Sequence, residues 1–360
     1  MRIAIRTDSS TALGGGHLMR CLTLADRLRR AGAEVVFVCR DLPGNMSRLA
    51  IEQGYNTTLL PNDRHPGDTA AFDWELDAKQ TLSIISGRGP FDWLIVDHYG
   101  LDRQWERLMR PHAARIMVID DLADRPHGCD LLLDQNLTDQ PVSRYDRLIP
   151  PHCHKLLGLS HVLLRPEFYD LRPKVSPRTG HIHRLFVSFG GGDITGETEK
   201  ALAAIRLAGC GDIAVDVVIG GANRRRGEIE AQAQELPNAR VHYQVPTVAQ
   251  LMASADLALG GGGVTTWERC FLSLPSIVII QAENQREMIE SAARRQALWN
   301  MGWHHETTAG QLAAQLEYLL ERPEIVRRTG ENAGVLMADA ARNDGRSVVN
   351  TIMEQAHVAS

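Results

Sequence analysis

The chain has 360 residues, 44% apolar and 23% charged, an ordinary globular mixture that can bury real cores and argues against disorder. At about 150 residues per domain, two domains are expected. The 39 Lys and Arg against 44 Asp and Glu give a net charge of -5, which lacks the basic excess of a dedicated nucleic-acid binder and still allows a local anion site.

Short apolar runs alternate with helix-patterned stretches along the whole chain, the signature of a parallel sheet wound with helices. In the first half, strands are expected at 2–7, 34–39, 56–60, 93–97, 116–120 and 130–134. Leu18, Cys21, Leu22, Ala25 and Leu28 recur at helical spacing between the first two, and Gly32 stops that helix. Residues 166–180 hold Pro166, Pro173 and Pro177 among several charges and read as a linker. The pattern then restarts, with strands expected at 184–189, 215–219, 240–243, 257–259 and 276–280. The expected organisation is therefore a domain over 1–165, the linker, a second domain over 181–308 and a helical segment over 309–360. In open sheets of this kind ligands bind beyond the carboxyl ends of the strands, so the loops that follow strands are the places to search.

The first such loop, TDSSTALGGGH at 7–17, contains Asp8, Gly14, Gly15, Gly16 and His17. Three glycines let the backbone approach a ligand closely, and a histidine in the first helical turn is held as the neutral ring that can accept a proton. His17 is thus a candidate general base, although the same residues would also serve as a turn and a cap. The fourth strand ends in Asp97-His98-Tyr99-Gly100. Asp97 could orient an imidazole and Tyr99 could donate to developing charge, or the cluster could be ordinary turn chemistry. Asp120 and Asp121 make a poor metal pair without a third ligand, and the pairs His152/His154 and His181/His183 are expected at the surface.

In the second half, SFGGGD at 188–193 ends a strand with Gly190, Gly191, Gly192 and Asp193 leading into a helix, a loop suited to phosphate. GGGGVTTWE at 260–268 repeats the arrangement. Four consecutive glycines exceed the needs of one tight turn. The helix end, with Gly262, Gly263 and Val264 before it, offers backbone N–H groups and the Thr265 and Thr266 hydroxyls to an anion, and the Glu268 carboxylate suits the paired hydroxyls of a ribose. Together the loops indicate a diphosphate attached to a sugar. Asn284 and Gln285, after the next strand, can hydrogen-bond sugar substituents or cap a helix.

The segments RTDSSTALGGGHLMRCLTLADRL, LIVDHYGLD, SFGGGDITGETEKAL, GGGGVTTWERCFLSLPSIVI and AENQ, which span nearly the whole chain in order, resemble the PseG family of UDP-sugar hydrolases in pseudaminic acid biosynthesis. The second half also resembles the nucleotide-binding half of MurG-type glycosyltransferases. The resemblance implies an α/β protein of GT-B fold, two Rossmann-like doubly wound domains with an active site in the cleft between them. It further implies hydrolysis of UDP-2,4-diacetamido-2,4,6-trideoxy-β-L-altrose by attack of water at the anomeric carbon, with inversion and C–O cleavage. His17 would be the base, Tyr99 and Asn284 would contact substrate, and Glu268 would hold the ribose. The expected site is then His17, Asp97 and Tyr99 for chemistry, and Asp8, Gly14, Gly15, Gly16, Asn284 and Gln285 around the sugar. Gly190, Gly191, Gly192, Asp193, Gly262, Gly263, Val264, Thr265 and Glu268 would surround UDP, with Val245 in the uracil pocket suspected at 243–246.

No metal and no cofactor are expected. The expected partners are the UDP-sugar substrate and the UDP product, with no nucleic acid, no stable membrane association and a monomeric state. Six cysteines without a CxxC pair and an N-terminus without an apolar signal core suggest a soluble, cytoplasmic protein with reduced thiols. Two alternatives stay open. A MurG-like glycosyltransferase with a lipid acceptor would need an apolar patch with basic flanks, for which Arg27, Arg29 and Arg30 are candidates; a nucleotide-sugar binding module would need no base at His17.

Overall fold

The computed structural model describes residues 1–62, 72–140, 142–245 and 247–357. The chain divides into two compact units, Met1–Leu163 with Asn343–Ser360, and Leu164–Arg342.

The first unit is built on a seven-stranded sheet of β1 (Arg2–Thr7), β2 (Glu34–Arg40), β3 (Asn56–Leu60), β4 (Phe91–Asp97), β5 (Ala113–Ile119), β6 (Leu131–Asp134) and β7 (His154–Leu157). Their order is β3-β2-β1-β4-β5-β6-β7, and every neighbouring pair is parallel. Strands such as Ile3-Ala4-Ile5 and Leu94-Ile95-Val96 are buried throughout because helices cover both faces of the sheet. On one face the helix Gly16–Arg30 contributes Leu18, Cys21, Leu22, Ala25 and Leu28, joined by Val348, Val349 and Ile352 of the helix Ser347–His357. On the other lie Ala78, Ile85, Trp105, Met109 and Tyr145. Gly32 sits at φ +90°, beyond the reach of most L residues, and ends the first helix there. The chain winds from β1 outward to β3, then returns to β4 on the other side of β1, so the strand order reverses between β1 and β4.

The second unit repeats the design with β8 (Arg184–Ser188), β9 (Ala214–Ile219), β10 (Ala239–Tyr243), β11 (Leu257–Gly261), β12 (Ser276–Ile280) and β13 (Trp299–Trp303), all parallel in the order β10-β9-β8-β11-β12-β13. Its reversal falls between β8 and β11. β7 and β13 were not expected from sequence. Each is a short outermost strand whose partly exposed positions lack the apolar run that marks the central strands.

Residues 166–180, expected as a linker, fold as part of the second unit. Pro166 opens the helix Pro166–Leu171, as proline does at a first helical position, and Phe168 is fully buried. Arg172 donates to the carbonyls of Phe271 and Gly334, and Arg178 to those of Ala255, Leu272 and Met252. The expected C-terminal helical segment is likewise divided. Leu312, Leu316, Leu319 and Val326 enter the core of the second unit, and the chain from Asn343 onward belongs to the first. All six cysteines are free and buried, with the Sγ atoms of Cys129 and Cys153 3.5 Å apart. No helix among the described residues is long and apolar enough to cross a membrane.

Candidate functional site

In the first unit the parallel register sets Thr7 beside Asp97, so the loops after β1 and β4 emerge side by side at the reversal of strand order. The loop after β1 closes through Gly14 N–H donating to the Ser10 carbonyl, 2.9 Å, with Gly14 at φ +74°. Gly15 then precedes a helix with no side-chain cap, and a Cβ on Gly15 would run into the Met46 thioether, whereas one on Gly16 would meet nothing within 4 Å. His17 Nδ1 lies 2.6 Å from Asp97 Oδ1. Asp97 also accepts from Arg20 Nε and Nη2, each 2.6 Å. Two groups meet Nδ1: the Asp97 carboxylate at 2.6 Å, which only accepts, and Arg20 Nη2 at 3.1 Å, which only donates; a proton on Nδ1 satisfies the closer of them, and in the neutral ring that tautomer keeps the lone pair on Nε2.

Burial alone would raise the Asp97 carboxyl, but the charges of Arg20 and His17 outweigh it and hold Asp97 well below the usual carboxylate range. The Tyr99 ring meets the His17 ring edge-on at 4.5 Å. Burial and the Asp121 carboxylate, to which it is hydrogen-bonded, push the Tyr99 phenol well above its usual range, so it remains a neutral donor. Arg20 Nη1 reaches Asp121 Oδ2 at 3.0 Å. Arg20 and Asp121 were absent from the sequence-based site. The spacing of Arg20, three residues after His17 and hence on the same helical face, was a usable signal; Asp121, just past the end of β5, was weighed only as half of a metal pair.

Asp8, expected around the sugar, instead lies 1% exposed in a supporting layer. Its carboxylate accepts from Arg6 at 2.5 and 2.9 Å and from the Arg40 N–H at 2.6 Å, with His98 Nε2 at 3.3 Å. Arg6 and Arg40 are held in turn by Asp77, which also accepts from Trp105 Nε1 at 3.0 Å. With every lone-pair direction taken by this buried network, Asp8 braces the loop and has nothing left for a substrate. Asp120 and Asp121 turn to different partners, Asp120 to Arg125 and Tyr145 and Asp121 to Arg20.

In the second unit the two glycine-rich loops also emerge side by side, after β8 and β11, whose register pairs Gly260 with Ser188. Asp193, at φ +40°, accepts from the N–H groups of Glu197 and Thr198 at 3.0 and 2.8 Å. It therefore occupies the start of the helix Glu197–Leu207 that was expected to receive phosphate, because a fixed carboxylate satisfies those donors. Gly190 and Gly191 are exposed in the same loop and Gly192 is half-buried.

The glycine run at 260–263 has a different cause at each position. A Cβ would overlap Arg269 and the Ser188 carbonyl at Gly260, Gln281 at Gly261, and Gln285 and Ile289 at Gly262, while at Gly263 it would meet nothing within 4 Å. Gln285, expected to touch sugar, folds back so that its Oε1 accepts from Gln281 N–H at 2.9 Å. Val264 and Thr265 are half-exposed, and Asn284 lies in the first turn of the helix Glu283–Arg294. Thr266, expected to offer its hydroxyl to an anion, is instead buried and donates it to the Gly261 carbonyl, 3.3 Å. Glu268 is 6% exposed and its Oε1 accepts from Arg165 Nε at 3.1 Å; Arg165 also escaped the sequence reading. Val245 is half-buried, Tyr243 lies under Arg226 at 4.3 Å, and Pro246 of the suspected uracil segment is outside the described residues.

The two sheets with ligand-side loops at each reversal define a protein of GT-B fold. No protein-family model matches the chain. Among solved structures it is similar to MurG of Acinetobacter baumannii, with TM-score 0.65, 13% identity and coverage of 98% of this chain and 99% of that one. It is similar also to the spinosyn forosaminyltransferase SpnP, with TM-score 0.66, 16% identity and 99% of both chains covered. In sequence it is 24% identical, over 298 residues covering 82% of this chain and 97% of the relative, to the UDP-2,4-diacetamido-2,4,6-trideoxy-β-L-altropyranose hydrolase of Campylobacter jejuni.

Proposed function

We propose that the protein hydrolyses UDP-2,4-diacetamido-2,4,6-trideoxy-β-L-altrose, the substrate named for its Campylobacter relative, to the free sugar and UDP. The observation that carries this reading is the 2.6 Å contact between His17 Nδ1 and buried Asp97, which leaves Nε2 as a proton acceptor on the ligand side of the sheet. Water gives a proton to Nε2 as its oxygen bonds to the anomeric carbon. The bond from that carbon to the diphosphate oxygen breaks, and its electron pair leaves with UDP. Asp97 holds the ring in its productive tautomer and balances the imidazolium. Tyr99, whose hydroxyl donates its proton to Asp121, accepts from a hydroxyl or amide N–H of the sugar, Asn284 contacts its substituents, and Gly263 to Thr265 take the diphosphate. Glu268 binds the ribose through Oε2, since Oε1 belongs to Arg165.

Incubation with this UDP-sugar in oxygen-18 water, with EDTA and no acceptor, tests the proposal. UDP release with label in the sugar is the expected result. Label in UDP would mean attack at phosphorus and would remove the role of His17. A second reading, transfer to an acceptor, is favoured by the likeness to glycosyltransferase structures and requires UDP release only when acceptor is added. Arg27, Arg29 and Arg30, the basic flank that reading would use, are engaged with the Asp344 carbonyl, the Gln53 carbonyl and Asp26.

A further inference from the structure

Arg269 is a fully buried cation with no ion-pair partner among the described residues. It lies in the helix Thr265–Phe271 at 0% exposure. One nitrogen, Nη2, donates to the Gly261 carbonyl at 2.8 Å and to Thr266 Oγ1 at 3.1 Å. Nε and Nη1 have no hydrogen-bond partner among the described residues. The adjacent carboxylate, Glu268, gives its Oε1 to Arg165. Burial pulls Arg269 down to about 10, so it keeps its proton at neutral pH. The guanidinium packs directly beneath the loop, where any Cβ at 260 would overlap Nη1.

An uncompensated buried charge is costly, and a fold that keeps one supplies an opposite charge somewhere. The other cationic features of these loops are weaker than they look from sequence. Asp193 takes the first N–H groups of the helix Glu197–Leu207, and the helix Thr265–Phe271 has only seven residues, a small dipole. We infer that Arg269 is a positioning residue for a nucleotide diphosphate: it pins the Gly261 carbonyl downward and supplies, from beneath the glycines, the fixed positive charge that the bound diphosphate neutralises. This deepens the nucleotide reading of the second unit and rests on it.

The test compares UDP with uridine, which keeps base and ribose and lacks the phosphates, by calorimetry on the full-length protein and on Arg269→Gln and Arg269→Lys. Arg269→Gln is expected to weaken UDP by about 10- to 100-fold and uridine by less than about threefold, and Arg269→Lys to recover most of the UDP loss because it restores charge. Equal losses for both ligands, or none, would overturn the inference while leaving the nucleotide site standing. Wild-type protein that binds UDP no more tightly than uridine would remove the diphosphate site itself. If neither variant folds, the wild-type protein carries the test through its arginine side-chain N–H resonances. A buried arginine signal that shifts with UDP and not with uridine is expected, and its absence would overturn the inference.

Discussion

Replacing Asp97 with asparagine tests the link between buried charge and chemistry most directly. The carboxylate is 0% exposed and accepts from His17 Nδ1 and from two nitrogens of Arg20, all at 2.6 Å. Asparagine keeps the shape, removes the charge and turns one acceptor into a donor, so Asp121 is left as the carboxylate paired with Arg20. Removing one partner of a buried ion pair costs about 3–5 kcal/mol. For a unit of 150–250 residues each kcal/mol moves the midpoint by about 2–4 °C, so the first unit should melt roughly 6–20 °C earlier. Loss of the orienting acceptor should lower kcat by about 10³–10⁴-fold with KM nearly unchanged. Arg20→Met added to Asp97→Asn should recover stability, because the orphaned guanidinium is gone, and should recover no activity. Calorimetry and steady-state release of UDP give both numbers. A kcat loss under tenfold, or a double variant less stable than Asp97→Asn, would refute the reasoning. Because the folded Asp97 carboxyl is held below its ordinary value, its stabilisation is complete above about pH 4 and is lost as pH falls toward the depressed value. Asp97→Asn should therefore flatten the acid limb of the stability curve.

Four further outcomes follow from the same structure. Asp134, which shares the Tyr145 hydroxyl with Asp120 at 3.1 Å to each, is pushed up to about 7 by burial. The folded state holds this proton after the unfolded chain has lost it, so stability falls as pH rises from about 4 to 7. Asp134→Asn should remove that fall and be the more stable protein at pH 8, which urea midpoints at pH 5 and 8 would check; lower stability at both would contradict it. Gly263→Ala should leave stability nearly unchanged, within about 0.5 kcal/mol, since its Cβ would meet nothing within 4 Å, yet weaken UDP binding if the proposed diphosphate contact is made there. Gly220→Ala, whose Cβ would strike the backbone of Gly191, should instead destabilise the second unit outright. Glu268→Ala should weaken uridine and UDP by the same factor in calorimetry, as a ribose contact must, and an effect confined to UDP would reassign it.

The alternation of buried strands and amphipathic helices, the glycine loops at strand ends and His17 in a first helical turn were all legible locally, because apolar periodicity and glycine placement express neighbours a few residues away. The outer strands β7 and β13 were not, since they lean on a single neighbouring strand and carry little apolar signal of their own. Nor could residue order say that Pro166 begins a helix packed into the second unit instead of opening a linker. The Asp97 contact to His17 spans 80 positions and exists because β1 and β4 pair in register; sequence proposed the partners and only the sheet set their distance. Burial decided what the remaining polar residues do. Asp8 is consumed by Arg6, Arg40 and His98, Asp193 by a helix end and Gln285 by a strand end, because an enclosed polar atom must find a partner and the nearest ones come from elsewhere in the chain. Arg269 departs from that rule at Nε and Nη1, and its buried charge appears only once the glycines have closed over it.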